Sequence, residues 1–184
     1  MSERISGALE GVRPLLRVRQ TREFSDEPVG DEELDAIVDA ARWSGSAGNS
    51  QPWRFIVITE RGTVRALGEP GLPDTRALYT APAAIASVLP ADPARRLSHA
   101  YDDGRAAERM LIAASLLGLG AAINWLKDEA REVASRLLGL PQDRLVRSML
   151  AVGHPSDAAR RPTSPPRSAR LPRSEVVFRE RWPG

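Results

Sequence analysis

Residues 31–59 read DEELDAIVDAARWSGSAGNSQPWRFIVIT, and this stretch decides the fold class. Leu34, Ile37, Val38 and Ala41 stand at i, i+3, i+4 and i+7, the spacing of an amphipathic helix. Asp31 is its expected N-cap, and Glu32 and Glu33 suit the positive end of the helix dipole. Residues 44–50 are small or polar and cannot extend that helix, so they form a loop. Residues 53–59 (WRFIVIT) are rich in aromatic and β-branched types and read as a strand largely buried on both faces.

The same alternation continues outward. Upstream, residues 7–19 read as a short helix with Leu9, Val12, Leu15 and Leu16 on one side and Pro14 limiting its regularity. Arg13, Arg17, Arg19 and Arg22 form a basic cluster at its end. Downstream, a Gly/Pro-rich connection (68–74) leads to an apolar strand (83–89). The longest helix (about 103–117) carries Ala106, Met110, Ala113, Ala114 and Leu117 on one side, broadened by Leu111 and Ile112. Gly118 and Gly120 end it. A short strand (121–125), a helix capped by Asp128 and running to Leu138, and a strand (145–153) follow, with residues 175–182 as a last strand. The expected architecture is α+β in three layers (α/β/α), within one domain spanning 1–184. The central helix is too apolar for a free surface and the tail strand lacks a neighbour, which a homodimer would satisfy.

Composition narrows the function. The chain has no Cys, which excludes disulfides, thiolate metal sites and a Cys nucleophile, and its two His, His99 and His154, leave no multi-histidine metal centre. No apolar run reaches the roughly 18–20 residues that span a bilayer, and the N-terminus lacks a secretory apolar stretch; a cytoplasmic protein without a membrane partner is expected. There is no G-x-G-x-x-G after a strand, no Walker lysine and no nucleophile elbow. His99 beside Asp102 and Asp103 reads as a surface turn. Trp53 and Trp125 read as core or pocket residues, and Trp43 as core. Net charge is +2, but residues 154–173 hold five Arg and one Asp, leaving 21 basic against 23 acidic residues elsewhere. A nucleic-acid-binding protein using these Arg clusters is the rival class. The slightly acidic body and the 5% aromatic content count against it, so no nucleic-acid partner is expected.

Three segments could hold a ligand. Arg17 to Arg22 offers guanidinium forks matched to phosphate oxygens, or is simply a solvated basic turn. Residues 44–53 (SGSAGNSQPW) allow close backbone approach to a planar ligand, with Ser46, Asn49 and Gln51 as donors and acceptors; an ordinary helix-to-strand loop uses the same residues. Gly118-Leu119-Gly120 is weak alone, since such glycines usually cap helices.

Taken in order, these segments resemble the nitroreductase family of FMN enzymes along nearly the whole chain. The resemblance rests on residues 19–24 (RQTREF) with Pro28-Val29, on Asn49-x-Gln51-Pro52-Trp53 and its strand, and on Gly118-Leu119-Gly120 with Trp125. Residues 138–141 (LGLP), 151–155 (AVGHP), 175–178 (EVVF) and Arg181-Trp182 complete it. It implies a mixed sheet flanked by helices in a domain-swapped homodimer, FMN at the interface and NADH or NADPH as electron donor. A nitroarene or quinone would be the small-molecule acceptor in a ping-pong cycle. A flavin-handling or dehalogenating relative is the alternative within the same pocket. By position, Arg19, Gln20 and Arg22 would meet the phosphate or ribityl chain. Ser46, Ala47 and Asn49 would come from the other subunit, and Leu119 and Gly120 would lie near the ring. Arg170, with Arg167, would close on the phosphate from the 154–184 tail as it wraps the partner. The chain departs from the family pattern at Val18 and Gln20, where Arg and Ser are usual, and at Gly45, where Pro is usual. No general acid is identified.

Overall fold

A computed structural model describes residues 2–69, 73–160 and 170–182. Helix α1 (Ser2–Arg17) runs through Pro14 without interruption, and Leu9, Val12, Leu15 and Leu16 on it are exposed. Helix α2 (Asp31–Arg42) buries Leu34, Ile37 and Ala41 as the periodicity predicts. Its N-cap is Gly30 rather than Asp31: the Glu33 carboxylate accepts the Gly30 N–H at 3.0 Å, leaving Asp31 in the first turn against the dipole. Strand β1 (Arg54–Ile58), helix α3 (Arg61–Gly68) and strand β2 (Ala83–Pro90) follow. Helix α3 has no counterpart in the sequence expectation, and its start is set by Glu60, whose side chain accepts the Gly62 and Thr63 N–H groups. Helix α4 (Arg96–Leu116), strand β3 (Gly120–Trp125), helix α5 (Asp128–Leu137), strand β4 (Arg144–Gly153) and the single turn α6 (Arg173–Val176) complete the order. Lys127, not Asp128, is the N-cap of α5.

The sheet order is β1-β2-β4-β3, antiparallel at every strand pair. This corrects the expected mixed sheet; among the described residues the only parallel pairing is a single bridge between Gln20 and Ala121. The reason is that β1–α3–β2 and β3–α5–β4 are wide hairpins. Ile58 pairs with Ala84, and Trp125 with Ser148, so each helix leaves and re-enters the sheet at the same end. Only α4 crosses from end to end, about 30 Å at 1.5 Å per residue, and it makes β2 and β3 parallel with β4 inserted between them.

The sheet's two faces feed separate cores. One joins Ile85, Leu89, Leu150 and Val152 to Leu34 and Ile37 of α2 and Met110 of α4. The other joins Ala84, Ala86, Val146 and Met149 to Val64 and Leu67 of α3 and to Ala130 and Ala134 of α5. Strand β2 is therefore buried on both faces, whereas β1, expected to be so, is an edge strand with Arg54 and Val57 exposed. Several side chains depart from expectation. Trp43 is 73% exposed because it caps α2 beyond the last turn facing the core, and Trp125 is 46% exposed at the outer edge of β3. Residues 175–182 do not form a strand: one helical turn and a bend carry Phe178 against Trp182, with no strand alongside among the described residues.

The largest correction concerns the start of α4. It begins at Arg96, not Asp103, so His99, Asp102 and Asp103 lie inside it and are 4%, 1% and 1% exposed, not on a surface turn. The Ser148 hydroxyl donates to Asp103 at 3.0 Å. Burial still raises the Asp103 carboxyl above the ordinary Asp range, against the lowering effect of its serine neighbours and the Arg147 charge. An acid whose folded pKa is raised weakens the fold progressively as pH climbs from its unfolded value through its folded one, because the unfolded chain ionises first. Asp103→Asn is therefore expected to melt at or above the wild-type temperature at neutral pH, with the gap closing as pH falls toward the unfolded Asp value. A variant that melts below wild type at neutral pH, with the deficit shrinking in acid, would show that the ionised carboxylate is needed.

Candidate functional site

The segment after α1 is stitched across the ends of two strands. Thr21 N–H donates to the Ala121 carbonyl at 2.7 Å, and Ser25 N–H to the His154 carbonyl at 2.9 Å. Phe24 N–H donates to the Thr80 hydroxyl at 3.1 Å, and its ring is buried in the core. Gln20 is committed in part to this scaffold: its Oε1 accepts the Ile123 N–H at 3.1 Å. Gly120 makes the approach possible, since a Cβ there would stand 2.8 Å from the Thr21 Cβ.

The outcome is a cluster that sequence order alone does not reveal. Arg19, Gln20 and Arg22, all exposed, sit beside Leu119 and Gly120 at the end of α4. No hydrogen bond or ion pair to a described residue engages the Arg19 or Arg22 side chain. The helix closes with Gly118 at φ +78°; Gly118 N–H donates to the Ser115 carbonyl and Leu119 N–H to that of Ala114, a paired C-terminal cap. Leu119 is 6% exposed with its side chain in the core, so only its backbone can face a ligand.

Ser46, Ala47 and Asn49 are elsewhere. Their loop enters β1 at the opposite end of the sheet, where Arg54 pairs with Val88, and the chain from Trp43 to Ala47 is fastened to α4. Ala47 N–H donates to both Asp102 carboxylate oxygens at 3.1 Å, and Arg109 donates to the Trp43 carbonyl at 2.6 Å. From Asp102 to the end of α4 is about 20 Å along the helix axis. Within the loop Gly48, Asn49 and Gln51 all have positive φ (59°, 53° and 45°). Asn adopts that conformation readily, whereas for Gln51 it costs about 1–2 kcal/mol. The Ser46 hydroxyl steadies it by accepting the Gln51 N–H at 2.9 Å. Arg170 is exposed, and Arg167 lies outside the described residues.

Sequence reasoning missed Asp102, which anchors this loop. The signal was present: His99, Asp103, Ala106 and Met110 continue the 3–4-residue spacing of the α4 stripe upstream through polar residues.

Comparison with known proteins decides the family. The nitroreductase family model matches residues 17–103. A protein of Archaeoglobus fulgidus, provisionally named an NADH dehydrogenase/NAD(P)H nitroreductase, is 35% identical over 148 residues, covering 76% of this chain and 82% of the relative. The chain belongs to the nitroreductase family. This nitroreductase-family chain is also similar to an FMN reductase [NAD(P)H] of Bacillus subtilis, with 28% identity, 94% of this chain and 74% of the relative covered. Among solved structures, B. megaterium NfrA2 superposes with a TM-score of 0.79 at 26% identity, covering 95% of this chain and 75% of that one. No helix among the described residues is long and apolar enough to cross a membrane, and none of their acidic and His side chains group as a metal site.

Proposed function

We propose that this nitroreductase-family chain is an FMN-dependent oxidoreductase. In this reading it uses NADH or NADPH to reduce a small-molecule acceptor such as a nitroarene or quinone, and works as a homodimer of three-layer protomers. The observation that carries this is the division of the site residues. Arg19, Gln20, Arg22, Leu119 and Gly120 lie at one end of the sheet, and Ser46, Ala47 and Asn49 at the other. Neither group alone surrounds a flavin, and a twofold axis near α4 would bring one group of each protomer to the other group of its partner.

The uncovered apolar surface supports such an axis. Leu97, Tyr101, Leu116 and Leu117 on and just after α4, Leu15 and Leu16 on α1, and Trp43 are all exposed, as are Leu171, Phe178 and Trp182 in the tail. The tail would then wrap the partner and bring Arg170, with Arg167, to the phosphate.

The residues fit the group by chemistry. Arg19 and Arg22 are exposed guanidiniums without counter-charge among the described residues, suited to a phosphate. Gly118 is exposed with nothing within 4 Å of where a Cβ would stand, which admits close approach of a flat ring to the turn, and the loop with Asn49 and Gln51 at positive φ holds backbone and amide groups in one orientation. Bound FMN would supply the hydride and electron chemistry, alternating between nucleotide and acceptor. The chain's residues bind and orient, and leave one side open for the two substrates in turn. Protein supplemented with FMN should show flavin absorbance that bleaches under anaerobic NADH or NADPH and returns with a nitroarene or quinone. A protein whose melting temperature ignores saturating FMN contradicts the reading, because a ligand of the folded state must stabilise it.

A further inference from the structure

A cavity of about 250 Å³ opens where β2 leaves the sheet for α4, at the end opposite the Arg19–Gly120 cluster of the same protomer. Leu89, Pro90 and Leu145 form apolar wall, and Arg96, His99 and Arg147 bring polar groups to it. The volume is below the roughly 300–1,000 Å³ of sites for drug-sized ligands and suits a single ring.

The two arginines have no salt-bridge partner among the described residues. His99 is 4% exposed, and its buried Nδ1 has no hydrogen-bond partner. The buried Nε of Arg147 has none either. Arg147 lies over the Trp125 ring at 4.9 Å. Asp92, the one carboxylate among the lining residues, caps the turn ahead of α4 by accepting the Ala94 N–H at 2.9 Å, and Asp103 accepts the Ser148 hydroxyl. Burial, then the neighbouring charge of Arg131, holds the Arg147 guanidinium below its usual value, against the opposing pull of the Asp103 charge. The first turn of the 21-residue α4, beginning at Arg96, adds its positive dipole end.

We propose that this cavity binds a small carboxylic acid with a compact apolar body, its carboxylate held by Arg96 and Arg147 beside His99. Guanidinium forks match the planar carboxylate, and the apolar wall excludes a fully hydrated inorganic anion. The proposal does not rest on the flavin reading.

The test is calorimetric titration of the protein as purified with cyclohexanecarboxylate, and separately with inorganic phosphate. One saturable site per chain is expected for the carboxylate, weakened at least about tenfold by Arg96→Gln or Arg147→Gln, as for loss of a charge-assisted hydrogen bond. It should be unchanged by Arg19→Gln. Arg96 is exposed in the first turn of α4, so its variant keeps the fold, which the melting temperature verifies. Absence of saturable binding overturns the proposal, as does affinity indifferent to both arginine substitutions. Loss of binding in Arg19→Gln would assign the carboxylate to the other cluster, and equal binding of phosphate would remove the role of the apolar wall.

Discussion

Replacing Arg19 and Arg22 together by Gln is expected to weaken FMN binding by about 10²–10⁴-fold and to leave the melting temperature of the flavin-free protein essentially unchanged. Each guanidinium would lose a charge-assisted hydrogen bond to the phosphate, worth about 1.5–3 kcal/mol, and about 1.4 kcal/mol is a factor of ten. The structural cost is small because both side chains are exposed and neither has a partner among the described residues. Fluorescence titration with FMN checks the affinity. Unchanged affinity would move the phosphate elsewhere, and a large fall in melting temperature would mean that the arginines serve the fold.

Gly120→Ala should damage both fold and site. The added Cβ would stand 2.8 Å from the Thr21 Cβ and Oγ1 and 2.9 Å from its Cγ2, and the first of these belongs to the root of the side chain, which cannot swing away. Either β3 or the 19–22 segment must shift, breaking the Thr21–Ala121 hydrogen bond of 2.7 Å and the Gln20 contact to Ile123. Overpacking of this kind costs about 1–3 kcal/mol, and the displaced arginines should lose FMN as well. Thr21→Gly in the same chain restores the space and should recover flavin binding in the double variant. Recovery of stability without recovery of binding would separate the packing of Gly120 from the site.

Much of the fold was legible where periodicity was strong. The stripe of Leu34, Ile37 and Ala41 and the apolar run of β2 are set by burial, and both elements stand where the pattern puts them. What was not legible depended on partners distant in sequence. Strand β1 carries the composition of a buried strand but pairs with β2 alone, which leaves an edge that no local pattern announces. The start of α4 was obscured because its first buried face is His99, Asp102 and Asp103, which hydropathy assigns to solvent; a loop amide and a serine hydroxyl satisfy the two acids there. The motifs around Arg19 and Gly120 were visible as sequence. Their adjacency was not, because it depends on α4 carrying the chain back to the end of the sheet where the 19–25 segment is tied.

The central claim is that one site is assembled from two chains, and subunit complementation tests it most directly. One variant carries Arg19→Gln and Arg22→Gln; the other carries Ser46→Ala and Asn49→Asp in the loop, and each alone should be inactive. Unfolded together in equal amounts and refolded, they should form mixed dimers in which one site combines the two intact halves and the other combines both defects. Random pairing then restores roughly a quarter of the wild-type NAD(P)H-dependent reductase activity and bound flavin. No recovery from a mixture that refolds to dimers as well as wild type does would contradict the account and confine each site to a single chain.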